Sequence, residues 1–569
     1  MIATYYWLES LTHNPFEIPF QLQVLGWLPA LCLCALLYAL TGRMALSLIL
    51  SELCCAFVGL INYFVLQFRA SPILPWDLLS WRTGATVAKN YEWTITPKLW
   101  LMLGVLFLLV LLATRIRLRL RGARVRILCG AVATATLFLL ALVLRTPVLA
   151  SALGVYEMPF TQDYVYRQNG FFVSFLVNVR YLNVSPPADY SAEAVSAQLK
   201  ETQDTPIVSP SSPERAPNII VIMNEALSDL SVIGELPVNE DAMPFLHSLR
   251  GAPDMITGDL YVSVLGGNTA NTEFEFLTGN TMAFLPAGSV PYQQHVKSVL
   301  PALPSQLSAL GYQTLSMHPY YATGWNRNTV YRDLGFDHSL WLPDFKGAER
   351  LRSYVSDRAT YQRIRTEFEK KGDAPLFAFD VTMQNHGGYS DHYSDLELRV
   401  QVEDPAVVRQ RESVYLSLVR ESDDAFRELL DYFTQVSEPT VVLMFGDHQP
   451  HMADGFLEKL YGKKTSELTD EERARRYVTP FVLWANYDIA ERSDMRISAN
   501  YLASLLADVT GMQKTAYQRY LSSLWHELPV ITANFCIDSN GVFYGSDAMR
   551  ELSPLLNGYE AIQYNALFG

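Results

Sequence analysis

Four stretches of the chain are almost free of charge and continuously apolar, at 20–41 ("FQLQVLGWLPALCLCALLYALT"), 44–67, 97–114 and 127–145. Roughly 20 such residues cross a ~30 Å hydrocarbon core, so the pattern predicts four membrane-spanning helices within residues 1–149. Beyond about residue 215 the rhythm changes. Short apolar runs now end in polar residues: "NIIVIMNEA" (218–226), "YQTLSMH" (312–318), "LFAFDVTMQNH" (376–386), "TVVLMFGDH" (440–448) and "TPFVLWAN" (479–486). Runs of this form read as strands buried on both faces. Helical stretches such as "LPSQLSALG" and "ESVYLSLVRESDDAFRELLDYF" separate them. Strands alternating with helices predict an α/β domain with a mostly parallel sheet.

The pattern divides the chain further. Residues 68–98 form the loop between the second and third spans. Residues 150–215 are a juxtamembrane region in which "SAEAVSAQLKE" (191–201) reads as one capped helix and "TPIVSPSSPERAP" (205–217) as a Pro/Ser linker. The α/β domain is expected over 216–530, with 531–569 as a C-terminal extension packed on it.

Charge orients this layout. The loop "RIRLRLRGARVR" carries Arg115, Arg117, Arg119, Arg121, Arg124 and Arg126 and is expected in the cytoplasm, with Arg43 on the same side. The first 20 residues hold Glu9 and Glu17 but no Lys or Arg, and no basic region precedes an apolar one as in a cleavable signal peptide. Everything after residue 145 is then expected outside, in a multi-pass protein of the cell membrane. A net charge of −14 over 569 residues argues against nucleic acid as a partner. Of six cysteines only Cys536 lies outside the apolar spans, so no disulfide can staple the outer part. Glu52, the intramembrane acid, is either functional or hydrogen-bonded to a neighbour such as Asn62.

Candidate chemistry collects at the strand ends. Glu225 closes the first strand, Asp447 and His448 close "VVLMFG", His386 follows "FDVTMQN", and His318 follows "QTLSM". Ligand sites of open α/β sheets lie at the carboxyl ends of the strands. Two carboxylates and an imidazole suit a divalent cation such as Mn²⁺, Mg²⁺ or Zn²⁺. "GGNTANTEFEFLTG" (266–279) then offers Thr269, a hydroxyl that a nearby cation would activate as a nucleophile. Taken alone, the same polar residues would cap a helix, with Glu273 completing a capping box.

These motifs, in this order, resemble the lipoteichoic acid synthases and related phosphoglycerol transferases, in which membrane helices precede an outer alkaline-phosphatase/sulfatase-like domain. "GGNTANTEFEFLTG" resembles their nucleophile motif and places Thr269 on the catalytic threonine. "NIIVIMNEALSDL" and "FGDHQPH" place Glu225, Asp447 and His448, with Thr269, on the metal ligands. "HPYYATGWNRNTVYRDLGFD" places His318, Trp325 and Arg327 in the substrate region, with Arg327 able to clamp a phosphate bidentately; "NHGGY" adds His386. The resemblance implies a metal-dependent transferase, with Mn²⁺ as the expected cofactor. It would move glycerol phosphate from phosphatidylglycerol to a polyglycerolphosphate or glycolipid acceptor. Two features depart from the family. It usually has five spans, and Asn268 and Asn271 stand where Lys and Asp are common. Phosphoethanolamine transferases and hydrolases of the same superfamily are the competing classes. "SSPER" (Ser211 to Arg215) matches the sulfatase formylglycine pattern, but it precedes the first strand, away from any cation site.

Overall fold

The computed structural model of the chain describes residues 1–69, 72–78, 96–119, 122–156, 162–182, 184–188, 190–202, 215–389, 393–404, 408–546 and 548–569. Most of the loop expected over 68–98, Arg121 of the basic loop, and residues 203–214 with Ser211 of "SSPER" lie outside the described residues. Packing divides the chain into two compact units, one drawn chiefly from residues up to Val184 and the other chiefly from Ser185 onward.

In the first unit the apolar stretches form helices α2 (Phe20–Thr41), α3 (Met44–Arg69), α4 (Pro97–Thr114) and α5 (Ala123–Arg145), after a shorter α1 (Ile2–Ser10). Among the described residues, these four longer helices are long and apolar enough to cross a membrane. The protein is a membrane protein. α1 was not anticipated, because its residues show no apolar face of helical period. It nevertheless buries Tyr5, Trp7 and Leu8, and its Trp7 Nε1 donates to the Met102 carbonyl at 2.6 Å. Glu9 is buried as well, its Oε1 accepting from the Phe171 N–H at 2.9 Å. Glu52 is buried in α3, but Asn62 is not its partner: the Asn62 Oδ1 accepts from the Ile73 N–H at 2.9 Å.

The second unit is built on an eight-stranded sheet of order β10-β2-β9-β8-β1-β7-β3-β4. Its strands are β1 (Asn218–Asn224), β2 (Met255–Tyr261), β3 (Gln313–Met317), β4 (His338–Leu340), β7 (Leu376–Val381), β8 (Thr440–Gly446), β9 (Val478–Ala485) and β10 (Arg492–Ser498). Two short strands, β5 (Arg350–Leu351) and β6 (Tyr354–Val355), form a separate hairpin. β9 alone runs against its neighbours β2 and β8; the other pairs are parallel. β1, β7 and β8 are buried along their whole length, as continuous apolar runs in a two-sided sheet must be.

Four further helices matter below: α6 (Ala192–Glu201), capped by the Ser191 hydroxyl on Ala194 N, α7 (Thr269–Thr278), α8 (Asp357–Lys370) and α9 (Gln410–Thr434). One sheet face is covered by α8 and α9, through Ile364, Val414, Leu418, Phe426 and Leu429 against Ile220, Ile222, Val442 and Met444. On the other face Phe276 of α7 packs against Phe379 and Phe445, with ring centroids 5.7 and 5.3 Å away. β3, β7, β1 and β8 are neighbours in the sheet, so their carboxyl ends lie side by side. The architecture is four apolar helices followed by an α/β domain with a mostly parallel sheet. Residues from Val530 on add a three-stranded sheet and a helix, Ser553–Phe568, which holds the loop after α7 by paired bonds between the Gln563 amide and Thr281 backbone.

Candidate active site

The polar stretch at 266–279 does not cap a helix in the expected way. Gly266 (φ 69°), Gly267 (φ 152°) and Asn268 (φ 65°) take the chain through a left-handed turn, and α7 starts at Thr269 with no side-chain cap. Asn268 is one of the few residue types that enter this region at modest cost. Glu273 closes no capping box; its carboxylate turns inward to Arg327. Thr269 therefore sits on the first turn of a helix, 7% exposed, and donates its hydroxyl proton to Glu225 Oε2 at 3.2 Å. One turn on, the Thr272 hydroxyl donates to the Asp447 carbonyl at 2.8 Å and ties α7 to the end of β8. β8 reaches that point through Gly446, where a Cβ would run into the Leu227 carbonyl.

Glu225, Asp447 and His448 each offer one ligand atom, all within 4.8 Å of one another. Asp447 Oδ1 accepts from the Ala226 and His448 N–H groups at 2.7 and 2.9 Å, while its buried Oδ2 has no donor. His448 Nδ1 bonds the Gln449 carbonyl at 3.0 Å. In the neutral ring this leaves the Nε2 lone pair free, 3.3 Å from Asp447 Oδ2 and 3.7 Å from Glu225 Oε1. Burial, and then Asp447 beside it, push the Glu225 carboxyl well above the usual range. Unpartnered acceptors converging inside a protein are costly without a donor or a cation. The residues present fit a divalent cation, with Thr269 Oγ1 at the edge of the same group.

A second group adjoins the first. His318, buried after β3, bonds the Val381 carbonyl through Nδ1 at 2.9 Å and meets Arg327 Nη1 at 3.0 Å through Nε2. That pairing fixes Nδ1 as the protonated nitrogen and Nε2 as the acceptor. Burial, reinforced by the Arg327 charge, holds the imidazole well below its ordinary pKa. Arg327, 3% exposed, forks onto Glu273 through Nε at 2.9 Å and through Nη2, and Tyr331 OH donates to the same carboxylate at 2.8 Å. The bidentate clamp expected of Arg327 is thus closed on a protein carboxylate, because Glu273 is the buried anion within its reach. One N–H on each terminal nitrogen remains. Trp325 (φ 54°) and Asn326 (φ 61°) are both left-handed, and the half-buried Trp325 side chain lies on the turn that delivers Arg327.

His386 stands in the loop after β7, its Nδ1 3.2 Å from Tyr354 OH. Burial and the Arg352 charge lower its pKa to about 4. The groups that hold this loop were not evident in the sequence. Arg352 donates through Nη2 to the carbonyls of His386, Gly387 and Gly388, and its guanidinium lies over the rings of Tyr389 and Tyr393. The neighbouring Asn385 donates to Asn224 Oδ1 at 3.0 Å. Asn224 and Ser422 both donate to Asp357 Oδ2, at 2.7 and 2.6 Å, so the ends of β1 and β7 share one buried polar network with α8 and α9.

Residues 217–512, just over half of the chain, match the family described as Sulfatase. The chain belongs to the sulfatase family. Among curated relatives it is 28% identical over 425 residues to the "Putative cyclic beta-1,2-glucan modification protein" of Rhizobium meliloti, covering 73% of this chain and 64% of that one. It is 23% identical over 265 residues to the lipoteichoic acid synthase of Staphylococcus aureus, covering 45% of this chain and 40% of that one. The chain therefore spans less than two thirds of either relative. Among solved structures, the Streptococcus pyogenes phosphoglycerol transferase GacH, in complex with sn-glycerol-1-phosphate, superposes with a TM-score of 0.56 at 22% identity. That match covers 68% of this chain and 96% of that one, and shows a common fold. In this sulfatase-family chain the residue on the first turn of α7 is a threonine.

Proposed function

We propose that this sulfatase-family protein is a membrane-bound phosphoglycerol transferase whose nucleophile is Thr269. The observation that carries the reading is the 3.2 Å bond from Thr269 Oγ1 to Glu225, within the group that also gathers Asp447 and His448. The name of the structural neighbour GacH, a phosphoglycerol transferase, supports the transfer of glycerol phosphate, and the apolar helices support a lipid donor, phosphatidylglycerol, drawn from the membrane. The catalytic domain faces the outside. Polyglycerolphosphate or a glycolipid sugar is the acceptor; the rhizobial relative's name favours a sugar.

In the first half-reaction Thr269 Oγ attacks the phosphorus of the lipid phosphodiester. Its proton passes toward Glu225 Oε2, to which it already donates, and diacylglycerol leaves with a proton on its oxygen. Glycerol phosphate stays esterified to Thr269. In the second, an acceptor hydroxyl displaces the threonine. Glu225, Asp447, His448 and Thr269 would hold a divalent cation, Mn²⁺ being the expected one, which supplies Lewis-acid polarisation of phosphoryl oxygens and eases deprotonation of the nucleophile. Unpaired N–H groups on the first turn of α7 favour the anionic phosphate. His386, held by Tyr354, can bind a glycerol hydroxyl or pass a proton; His318, with both ring nitrogens paired to Val381 and Arg327, holds Arg327 in the substrate region; Trp325 walls the glycerol side.

The test is mass spectrometry of the full-length protein and of Thr269→Ala in detergent with Mn²⁺ and phosphatidylglycerol. A phosphoglycerol-sized gain on the Thr269 peptide, absent from the variant, is expected. A gain only with phosphatidylethanolamine moves the protein to the phosphoethanolamine transferases, and no gain with either lipid overturns the reading.

A further inference from the structure

The two histidines beside the site are joined by a run of aromatic rings that the chemistry above does not use. Tyr320 lies 6.0 Å from His318, centroid to centroid, and Tyr321 lies 4.9 Å from Tyr320. On the other side Tyr354 of β6 is 6.5 Å from Tyr320, and His386 is 5.5 Å from Tyr354. The rings are tilted at 71°, 42° and 43° to one another in that order from Tyr321 to His386, so they form a curved rim rather than a closed stack. Tyr321 is 48% exposed and offers its ring to an incoming molecule, while Tyr320, Tyr354 and His386 are half-buried behind it.

The chemistry of this rim selects among ligands. A sugar ring presents C–H faces that lie against aromatic faces, and hydroxyls at its edge that meet polar groups such as the tyrosine O–H. An acyl chain gains nothing from the hydroxyls. A polyanion is poorly served too. The two arginines that touch this group, Arg327 and Arg352, are both buried, one on Glu273 and the other on backbone carbonyls and tyrosine rings. The chain as a whole carries a net charge of −14.

We propose that Tyr320, Tyr321 and Tyr354 form an acceptor subsite that seats a neutral glycan beside His386. The inference rests on the functional reading above and names its acceptor class and the residues that select it. The sugar hydroxyl oxygen bonds to the phosphorus of the Thr269 phosphodiester, and the bond from phosphorus to Thr269 Oγ breaks. The hydroxyl proton leaves the sugar by way of His386, and the threonine regains a proton. The glycan departs carrying glycerol phosphate. Tyr354, bonded to His386 Nδ1 at 3.2 Å, couples the rim to the group that handles this proton.

The experiment uses full-length protein with phosphatidylglycerol and Mn²⁺ and compares two acceptors, a β-1,2-linked glucose tetrasaccharide and free glycerol, which has no ring to stack. For Tyr321→Ser, and for Tyr320→Ser with Tyr321→Ser, the ratio of tetrasaccharide to glycerol product should fall at least tenfold. Tyr321→Trp should keep the ratio near the wild-type value. An unchanged ratio in the serine variants, equal losses on both acceptors, or no wild-type transfer to the tetrasaccharide while the Thr269 adduct forms, each overturns the subsite alone. Absence of the adduct in the wild type overturns the functional reading, and the subsite with it.

Discussion

Glu273 is fully buried and bonded by Arg327 and Tyr331, while Arg327 in turn holds His318. A buried ion pair adds little over apolar packing, but removal of one partner strands a charge and costs about 3–5 kcal/mol. Glu273→Gln should therefore destabilise the catalytic domain by about 3 kcal/mol, at the low end of that range because the amide still accepts a bond. The double change Glu273→Leu with Arg327→Met should recover part of the loss in stability and none of the activity. Denaturant unfolding followed by catalytic-domain fluorescence checks this. Additive losses in the double variant would show that the two side chains do not act as a pair. Nothing local in "NTEFEF" signals this role, since Glu273 and Arg327 are 54 residues apart and only the fold brings them together.

Just after β1, the segment that follows Glu225 is fastened to the short helix Pro244–Ser248 by a histidine between two carboxylates. His247 Nε2 meets Asp229 at 3.1 Å and its Nδ1 meets Asp241 at 2.7 Å. The Asp229 bond, against the opposing effect of burial and with help from Asp241, raises the His247 pKa from 6.5 to about 9. A pKa raised by folding adds stability that is complete below the unfolded value and is lost as pH climbs through the folded one. The stability difference between wild type and His247→Gln should accordingly be largest near pH 6 and decline toward zero above pH 9. A difference that stays flat across that interval would remove the fastening role. At this scale the sequence was readable wherever burial is symmetric. The continuous runs of β1, β7 and β8, and the charged residues ending them, put Glu225, Asp447 and His448 at adjacent strand ends. β2 was not readable, because "MITGDLY" places Gly258 and Asp259 in mid-strand. It is a strand because β9 and β10 flank it, and because only glycine at 258 lets the Met495 backbone approach. The reversal of β9 was equally hidden, since a continuous apolar run has no direction. The capping-box reading failed because Asn268 takes a left-handed conformation that a turn of neighbouring glycines imposes.

Across the whole molecule, the arginines of residues 115–126 are the strongest asymmetry in the membrane part: Arg115, Arg117 and Arg119 follow α4, and Arg124 and Arg126 lie in the first turn of α5. Lys and Arg in short loops are retained on the cytoplasmic face. With the four apolar helices of the described residues all crossing the membrane, the segment before residue 20 and the segment after residue 145 share a face, which we propose is the outer one. This can be read by labelling. In a cysteine-free background, a cysteine replacing the exposed Ser539 should react with a membrane-impermeant maleimide on intact cells, or on spheroplasts if an outer membrane is present. A cysteine replacing Arg117 should react only after permeabilisation. Replacing Arg115, Arg117 and Arg119 together with alanine should weaken the difference, since the loop then loses half of its positive charge. The reverse labelling pattern would put Thr269 on the cytoplasmic face, where an exported glycan or wall polymer is not presented as an acceptor. The proposed orientation and the proposed acceptor thus stand or fall together, because an exported glycan would meet Thr269 on the outer face alone.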